Sequence, residues 1–120
     1  LYCQAHTILG AERFGCTKKR LEEVWNYANS SAFSSAEKAA LDFAFAAASV
    51  PNKVTGKEVS QLKNYWNDYD IVEIMGVIAL FGFLNRWNDS MGSALEDLPI
   101  EKGAEHLMEN TNWKPGKHRV

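Results

Sequence analysis

Apolar residues recur along most of the chain at intervals of three and four positions, the spacing that places them on one face of an α-helix. The pattern predicts five or six helices and no convincing strand. The helical segments fall at residues 3–14, 18–28, 35–50, 56–66, 70–90 and 101–110. The sequence therefore predicts an all-α fold.

Local capping signals indicate where two of these helices begin. Ser34 precedes Glu37 by three positions, and Thr55 stands in the same relation to Glu58. This is the spacing of a capping box, in which the hydroxyl and the carboxylate each bind a backbone N–H that the helix leaves unpaired. Pro51 cannot donate a backbone hydrogen bond, so it is expected to end the Ala-rich helix before it.

Residues 74–84 form a continuous apolar run of eleven uncharged residues. A helix needs roughly 20 apolar residues to cross a bilayer, so this run predicts a buried central helix and not a membrane span. The central helix is expected to cover about residues 70–90. Gly76 and Gly82 fit this prediction if another helix or a second subunit packs closely against them.

Composition excludes several classes of partner. The 120 residues contain 13 Lys and Arg against 15 Asp and Glu, a net charge of −2. This balance gives no general attraction to nucleic acid or to an anionic membrane, so neither is expected as a partner. Two cysteines are too few for a disulfide scaffold and suit a reducing compartment, so we expect a cytoplasmic protein.

The chain is short enough for one hydrophobic core. We expect residues 1–98 to form a helical domain that is truncated at its N-terminus, and residues 99–120 to form a C-terminal extension that ends in a basic tail. Leu1 opens the chain without Met and without the features of a signal peptide, and is interpreted as a cut point within a longer sequence.

Cys3 is the first candidate for chemistry, because the pattern places it at the first turn of a helix. The unpaired N–H groups and the dipole of a helix N-terminus favour a thiolate over a thiol. His6 follows three positions later on the same helix face, where an imidazole can accept the thiol proton. The pair is sufficient for thiol nucleophilic or redox chemistry, although Cys and His also occur at this spacing in helices without a function.

Cys16 follows the predicted end of the same helix. Its position predicts a half-buried small residue. Because Cys3 and Cys16 lie at opposite ends of the helix, roughly 15–20 Å apart, a disulfide between them is not expected.

The polar run at residues 85–89 directly continues the apolar helix and contains Arg86 and Trp87. Two interpretations stay open: the run lines a pocket or an interface, or it is a helix end that has reached solvent. His106 and His118 are isolated in the sequence, without Cys, Asp or Glu at metal-ligand spacing, so no metal site is expected. No phosphate-binding glycine loop is found, and no cofactor is expected.

Four segments carry a resemblance to a known family: YCQAHT at 2–7, SSAEKAAL at 34–41, PNKVT at 51–55 and FGFLNRWND at 81–89. Together they resemble the carboxymuconolactone decarboxylase and alkylhydroperoxidase D-like superfamily, in its peroxidase-related branch. The resemblance covers roughly residues 1–98. It implies an alkylhydroperoxidase D-like helical bundle that assembles as a homo-oligomer.

The redox branch of that superfamily carries a Cys-x-x-Cys pair followed by a His. The resemblance assigns the second cysteine of the pair, which is oxidised to sulfenic acid, to Cys3. The resolving cysteine then lies immediately before Leu1, and the family's proton-relay Glu lies further upstream. The family His follows the second cysteine by four positions, whereas His6 follows Cys3 by three, so His6 matches the pattern by residue type and not by strict spacing.

The resemblance implies a thiol-dependent peroxidase with catalytic Cys3 and His6, a small hydroperoxide as substrate, and a thiol or a disulfide reductase as electron donor. A lyase acting on a small lactone acid is an alternative, because the decarboxylase branch works without the cysteine pair. The third hypothesis is a non-catalytic oligomeric helical module in which Cys3 is structural.

Overall fold

The computed structural model describes residues 1–120 as six α-helices and two short 3₁₀ turns, and the all-α prediction is confirmed. The helices are α1 (Tyr2–Arg13), α2 (Lys18–Glu23), α3 (Ser35–Ala48), α4 (Gly56–Lys63), α5 (Asp68–Met91) and α6 (Asp97–Thr111), and the 3₁₀ turns are Val24–Asn29 and Gly116–His118. None of the helices combines the length and the hydropathy that crossing a bilayer demands.

The predicted capping boxes at α3 and α4 are confirmed. In α3 the backbone N–H of Ser34 donates to Glu37 Oε2 at 2.8 Å, and the N–H of Glu37 donates to Ser34 Oγ at 3.2 Å. Helix α5 begins two residues earlier than predicted, because the side chain of Asn67 accepts a hydrogen bond from the N–H of Asp70 at 3.0 Å.

The chain divides into two compact units. Unit 1 comprises Leu1–Ala32 and Leu84–Val120, and unit 2 comprises Phe33–Phe83. The core of unit 1 is a cluster of buried apolar residues from both of its segments: Ala5, Ile8, Leu21, Leu95, Leu107 and Trp113. The predicted boundary between residues 98 and 99 falls inside α6.

Unit 2 packs α3 against α4. Ala39, Phe43 and Leu62 are buried there, and Leu62 is fully inaccessible to solvent. The indole N–H of Trp66 donates to the carbonyl oxygen of Ala36 at 3.0 Å, which joins the residues after α4 to the first turn of α3. The cap of α3 and its packing thus reinforce each other.

The prediction that the central helix is buried is wrong for the single chain. No residue of α5 is buried, and the exposed fraction reaches 73% at Tyr69 and 58% at Trp87. A Cβ atom at Gly76 would meet nothing within 4 Å, so no element of the chain approaches the helix closely there. An apolar run indicates that a helix is buried in the functional protein. It does not indicate whether the same chain or a partner buries it.

The C-terminal segment differs from the predicted basic tail because two of its side chains are buried. Trp113 is 2% exposed and His118 is fully buried. The Trp113 indole lies against Gly103 of α6, where an added Cβ would come within 2.6 Å of the ring. Its N–H donates to the carbonyl oxygen of Leu1 at 3.2 Å, so this segment packs on the residues that start α1.

Gly103→Ala is expected to lower the free energy of unfolding by about 1–3 kcal/mol, because the indole cannot retreat within a packed core. This loss exceeds the gain of about 1 kcal/mol that Ala brings to a helix interior. Gly10→Ala in α1 is the matched control, since a Cβ there meets nothing within 4 Å, and it should be neutral or stabilising. Urea denaturation followed by circular dichroism measures both, and similar responses of the two variants would contradict the proposed contact.

Candidate functional site

Cys3 lies in the first turn of α1 and is 7% exposed. The backbone N–H groups of a first helical turn have no partner within the helix and form its positive end. No acidic residue occupies this turn, and Leu1 at the N-cap provides no side-chain hydrogen bond. Cys3 is thus the second residue of α1 as the structure describes it, and its sulfur is largely shielded from solvent.

The side-chain amide of Asn88, near the end of α5, approaches this sulfur. Asn88 Nδ2 lies 3.9 Å from Cys3 Sγ and also donates to the carbonyl oxygen of Leu84 at 3.0 Å. An amide NH₂ group has two protons, so one can be held by the backbone while the other faces the sulfur. This contact orients a hydrogen-bond donor toward any negative charge that forms at Cys3.

His6 is held by two oxygen acceptors. Its Nδ1 lies 3.3 Å from the carbonyl oxygen of Tyr2, and its Nε2 lies 3.0 Å from Glu96 Oε2. Glu96 occupies the N-cap position of α6, but its side chain makes no capping bond and is instead directed to His6. His6 therefore forms a His–Glu pair one helical turn away from Cys3, and its role toward the thiol stays a prediction.

Tyr2 lies between the elements of this site. Its ring stacks on the His6 imidazole with 4.4 Å between centroids, and lies 5.6 Å from the ring of His118. Burial, the Glu96 carboxylate and Cys3, in that order, raise the pKa of the Tyr2 phenol, so it remains protonated at neutral pH. Tyr2 is therefore a neutral proton donor beside two groups of negative character.

A buried histidine contacts the end of α5. His118 is fully buried, with Nδ1 2.8 Å from the carbonyl oxygen of Ser93 and Nε2 2.9 Å from Asp89 Oδ1. The hydrogen bond from His118 holds the pKa of the Asp89 carboxyl below its usual range, against the smaller opposing effect of burial. This network joins the end of α5 and the turn that follows it to the C-terminal segment.

A surface groove of about 380 Å³ runs along the same end of α5. Asn85, Arg86, Asp89, Ser90 and Lys117 line it. Three of these residues belong to the polar run at 85–89. The sequence leaves two interpretations of this run: it lines a pocket, or it is a helix end exposed to solvent. The structure places the run along a groove on one side and, through Asn88, beside the Cys3 sulfur on the other.

Cys16 is half-buried, as predicted, and packs against the core of unit 1. Both cysteines are free thiols, which agrees with the expectation that they do not form a disulfide. Cys16 follows the C-terminal end of α1, where the helix dipole disfavours negative charge.

Sequence reasoning missed Glu96 and His118 as members of the site. His6 and Glu96 are 90 positions apart, and His118 is 29 positions from Asp89, so no local spacing connects either pair. His118 was also treated as an isolated residue of a tail. Only the unusual polar run after the apolar helix gave a signal that this part of the chain contributes to a site.

No protein-family model matches the chain, and no curated protein matches it. Among solved structures, the chain is similar to the debrominase Bmp8 in its apo form, at 33% sequence identity and a TM-score of 0.82. The similarity covers 87% of this chain, and the chain spans 56% of the length of the Bmp8 chain. The neighbour has a carboxymuconolactone decarboxylase and alkylhydroperoxidase D-like fold, and the all-helical fold of this chain is of that type.

Asp89→Ala is expected to lower the free energy of unfolding near neutral pH by about 1 kcal/mol, because it leaves Nε2 of buried His118 without an acceptor. The loss is no larger because the carboxylate is 57% exposed and partly screened by solvent. The native pKa of Asp89 is depressed, so its contribution is present above about pH 4 and is lost as the pH falls through the native pKa. Urea denaturation of both proteins across this range checks the sign. A difference between the proteins that grows toward low pH would contradict it.

Proposed function

We propose that this chain belongs to the alkylhydroperoxidase D-like family and is a thiol-dependent peroxidase in which Cys3 reduces a small hydroperoxide. The observation that carries the proposal is the placement of a buried sulfur in the first turn of α1, with the Asn88 amide 3.9 Å away. The thiolate is the form of cysteine that attacks an O–O bond, and the Asn88 amide is placed to donate a hydrogen bond to it. The fold shared with an enzyme at 33% identity supports a catalytic function.

In the proposed reaction the Cys3 thiolate attacks one oxygen of the hydroperoxide, an S–O bond forms, and the O–O bond breaks. The sulfur is oxidised to sulfenic acid, and the hydroperoxide is reduced to an alcohol after it gains a proton. His6, held by Glu96, and the neutral Tyr2 phenol are the proton donors of the site. A second thiol then condenses with the sulfenic acid to give a disulfide and water, and a thiol or disulfide-reductase donor restores the dithiol. A reducing cytoplasm would supply such donors.

Reductive debromination is a second candidate, favoured by the similarity to the debrominase Bmp8. The same thiolate can attack the bromine of an activated organobromide, so that an S–Br bond forms, the C–Br bond breaks and the carbon gains a proton. A second thiol then displaces bromide from the sulfur and leaves a disulfide. In both reactions a single sulfur is oxidised by two electrons, and the two candidates differ only in the atom that it attacks.

Cys3→Ser is expected to abolish peroxide consumption with dithiothreitol as donor, and Cys16→Ser is the matched control that retains it. Asn88→Ala should slow the reaction about tenfold, since it removes a long and weak donor. His6→Ala and Glu96→Gln should slow it about a hundredfold. Dimedone labelling and mass spectrometry should locate the sulfenic acid at Cys3.

The wild type and the same five variants should be assayed for bromide release from an electron-rich bromoarene. Bromide release without peroxide consumption, lost in Cys3→Ser, would favour the debrominase candidate. Retention of both activities in Cys3→Ser, or faster alkylation of Cys16 than of Cys3, would overturn the thiol mechanism. Cys3 would then be structural, and the remaining hypotheses for the function would be a lyase and a non-catalytic module.

We also propose that the protein is a homo-oligomer, in which α5 packs against α5 of a second copy. Seven uncharged residues form a row along one face of α5. They are spaced by an 11-residue repeat, so the row runs nearly parallel to the helix axis over about 33 Å. Its members are Tyr69, Val72, Gly76, Leu80, Phe83, Trp87 and Met91. A straight, uncharged row on one copy can match the same row on another about a two-fold axis, and Gly76 permits close approach at its centre.

Leu80→Glu is expected to shift the protein toward the monomer, because Leu80 is 54% exposed in the single chain and a carboxylate would be buried in the interface. Lys53→Glu, a charge change on an exposed residue outside α5, is the control and should leave assembly unchanged. Sedimentation velocity over a wide concentration range measures both. A wild-type protein that sediments as a monomer throughout would contradict the proposal.

A further inference from the structure

His106 of α6 is a buried histidine that the proposed thiol reaction does not use. Its side chain is 2% exposed, and neither ring nitrogen has a hydrogen-bond partner. An imidazole has at least one polar N–H and one lone pair, or two N–H groups, so burying both nitrogens unpaired is costly. Such a group is rare in a native structure and indicates an interaction that the polypeptide alone does not complete.

Three carboxylates from three helices surround this ring. Nε2 lies 3.7 Å from Glu105 Oε1 and 3.9 Å from Glu12 Oε1, while Nδ1 lies 3.9 Å from Glu22 Oε1 on the opposite side. Glu12 is in α1, Glu22 in α2 and Glu105 in α6, so unit 1 alone forms the cluster. All three distances are too long for hydrogen bonds, yet the nitrogens face the oxygens.

We infer that Glu12, Glu105 and His106 form a binding site for a divalent transition-metal ion of the Zn²⁺ type, with Glu22 orienting the imidazole from behind. One ligand atom from each of the three residues lies within 4.8 Å of the others. Zinc binds His nitrogen and Glu oxygen at about 2.0–2.2 Å, which separates neighbouring tetrahedral ligands by roughly 3.3 Å. The observed gaps around Nε2 exceed this separation by a few tenths of an ångström, so small side-chain rotations can close them.

The chemistry of the ligand atoms determines which class of ion the site prefers. One imidazole nitrogen with two carboxylates suits Zn²⁺ and its first-row neighbours, whereas Mg²⁺ and Ca²⁺ prefer an all-oxygen shell. The carboxylate of Glu22 lies 3.9 Å from Nδ1, and a small rotation would let it accept a hydrogen bond from Nδ1 and complete the carboxylate–histidine–metal arrangement that fixes a ligating ring. A solvent molecule would fill the fourth position.

Lys102 is the competing cation at this site. Its ammonium lies 2.9 Å from Glu12 Oε1 and 2.8 Å from Glu105 Oε2, between two of the proposed ligands. These contacts raise the pKa of Lys102, chiefly through Glu105, and lower the pKa of Glu105. The ion must therefore displace a lysine that is already paired. This requirement predicts that removing Lys102 strengthens metal binding.

Isothermal titration of the tag-free, EDTA-treated protein with ZnCl₂ should show one saturable site. His106→Gln and Glu105→Gln should each weaken binding by about tenfold or more, and Glu22→Gln by about tenfold. Lys102→Met should strengthen it severalfold. Glu101→Gln, which changes an exposed carboxylate on the same helix, is the control and should bind as the wild type does.

Titration with Co²⁺ separates this site from the thiols. The proposed nitrogen and oxygen ligands give weak visible bands, whereas Cys3 or Cys16 as ligand would add an intense ultraviolet thiolate-to-cobalt band. That thiolate band, unweakened binding in Glu105→Gln, or no saturable binding in Lys102→Met would overturn the proposal. Glu105 is half-exposed, so its variant keeps the test decisive if His106→Gln does not fold.

Discussion

The contact between Trp113 and the start of the chain is the constraint on which unit 1 depends. The indole lies flat against α6 where Gly103 has no side chain, and its N–H holds the carbonyl oxygen of Leu1. This carbonyl also accepts a bond from the N–H of Ala5, the first bond of α1. The beginning of α1 is therefore fixed from outside, by a residue that follows α6. Cys3, His6 and Glu12 all depend on this anchoring, because each lies on α1.

The thiol site brings together groups that act in different ways. The Asn88 amide lies 3.9 Å from the Cys3 sulfur, while His6, which is paired with Glu96, and the neutral Tyr2 phenol lie on the same part of α1. These groups differ in solvent access: Cys3 is buried, whereas Glu96 is mostly exposed. The proposed thiol site would therefore combine a sulfur that is shielded from solvent with a His–Glu pair that reaches it.

The features that could be predicted from sequence are those set by neighbours along the chain. Contacts within a few residues determine these features. They are the capping boxes of α3 and α4, the half-buried position of Cys16 and the place of Cys3 in the first turn of α1. The contacts of Cys3 with Asn88 and of His6 with Glu96 join residues 85 and 90 positions apart, so their partners could not be read from spacing. The prediction that α5 is buried was wrong for the single chain for a related reason. Periodicity indicates that a helix is apolar, but it does not indicate which surface covers it.

The pairing of the first and last segments of the chain has a consequence for the order in which the protein is made. Leu1 and Trp113 are 112 positions apart, and every long-range partner of the Cys3 site lies at or beyond Asn88. Helices α3 and α4 of unit 2 contact each other over a short sequence distance and can form while synthesis continues. Helix α1 instead leaves the ribosome with Cys3 and its apolar face uncovered, and it cannot be completed until residue 113 has emerged. Cys3 is thus most accessible to solvent in the nascent chain, before the residues that cover it have been synthesised.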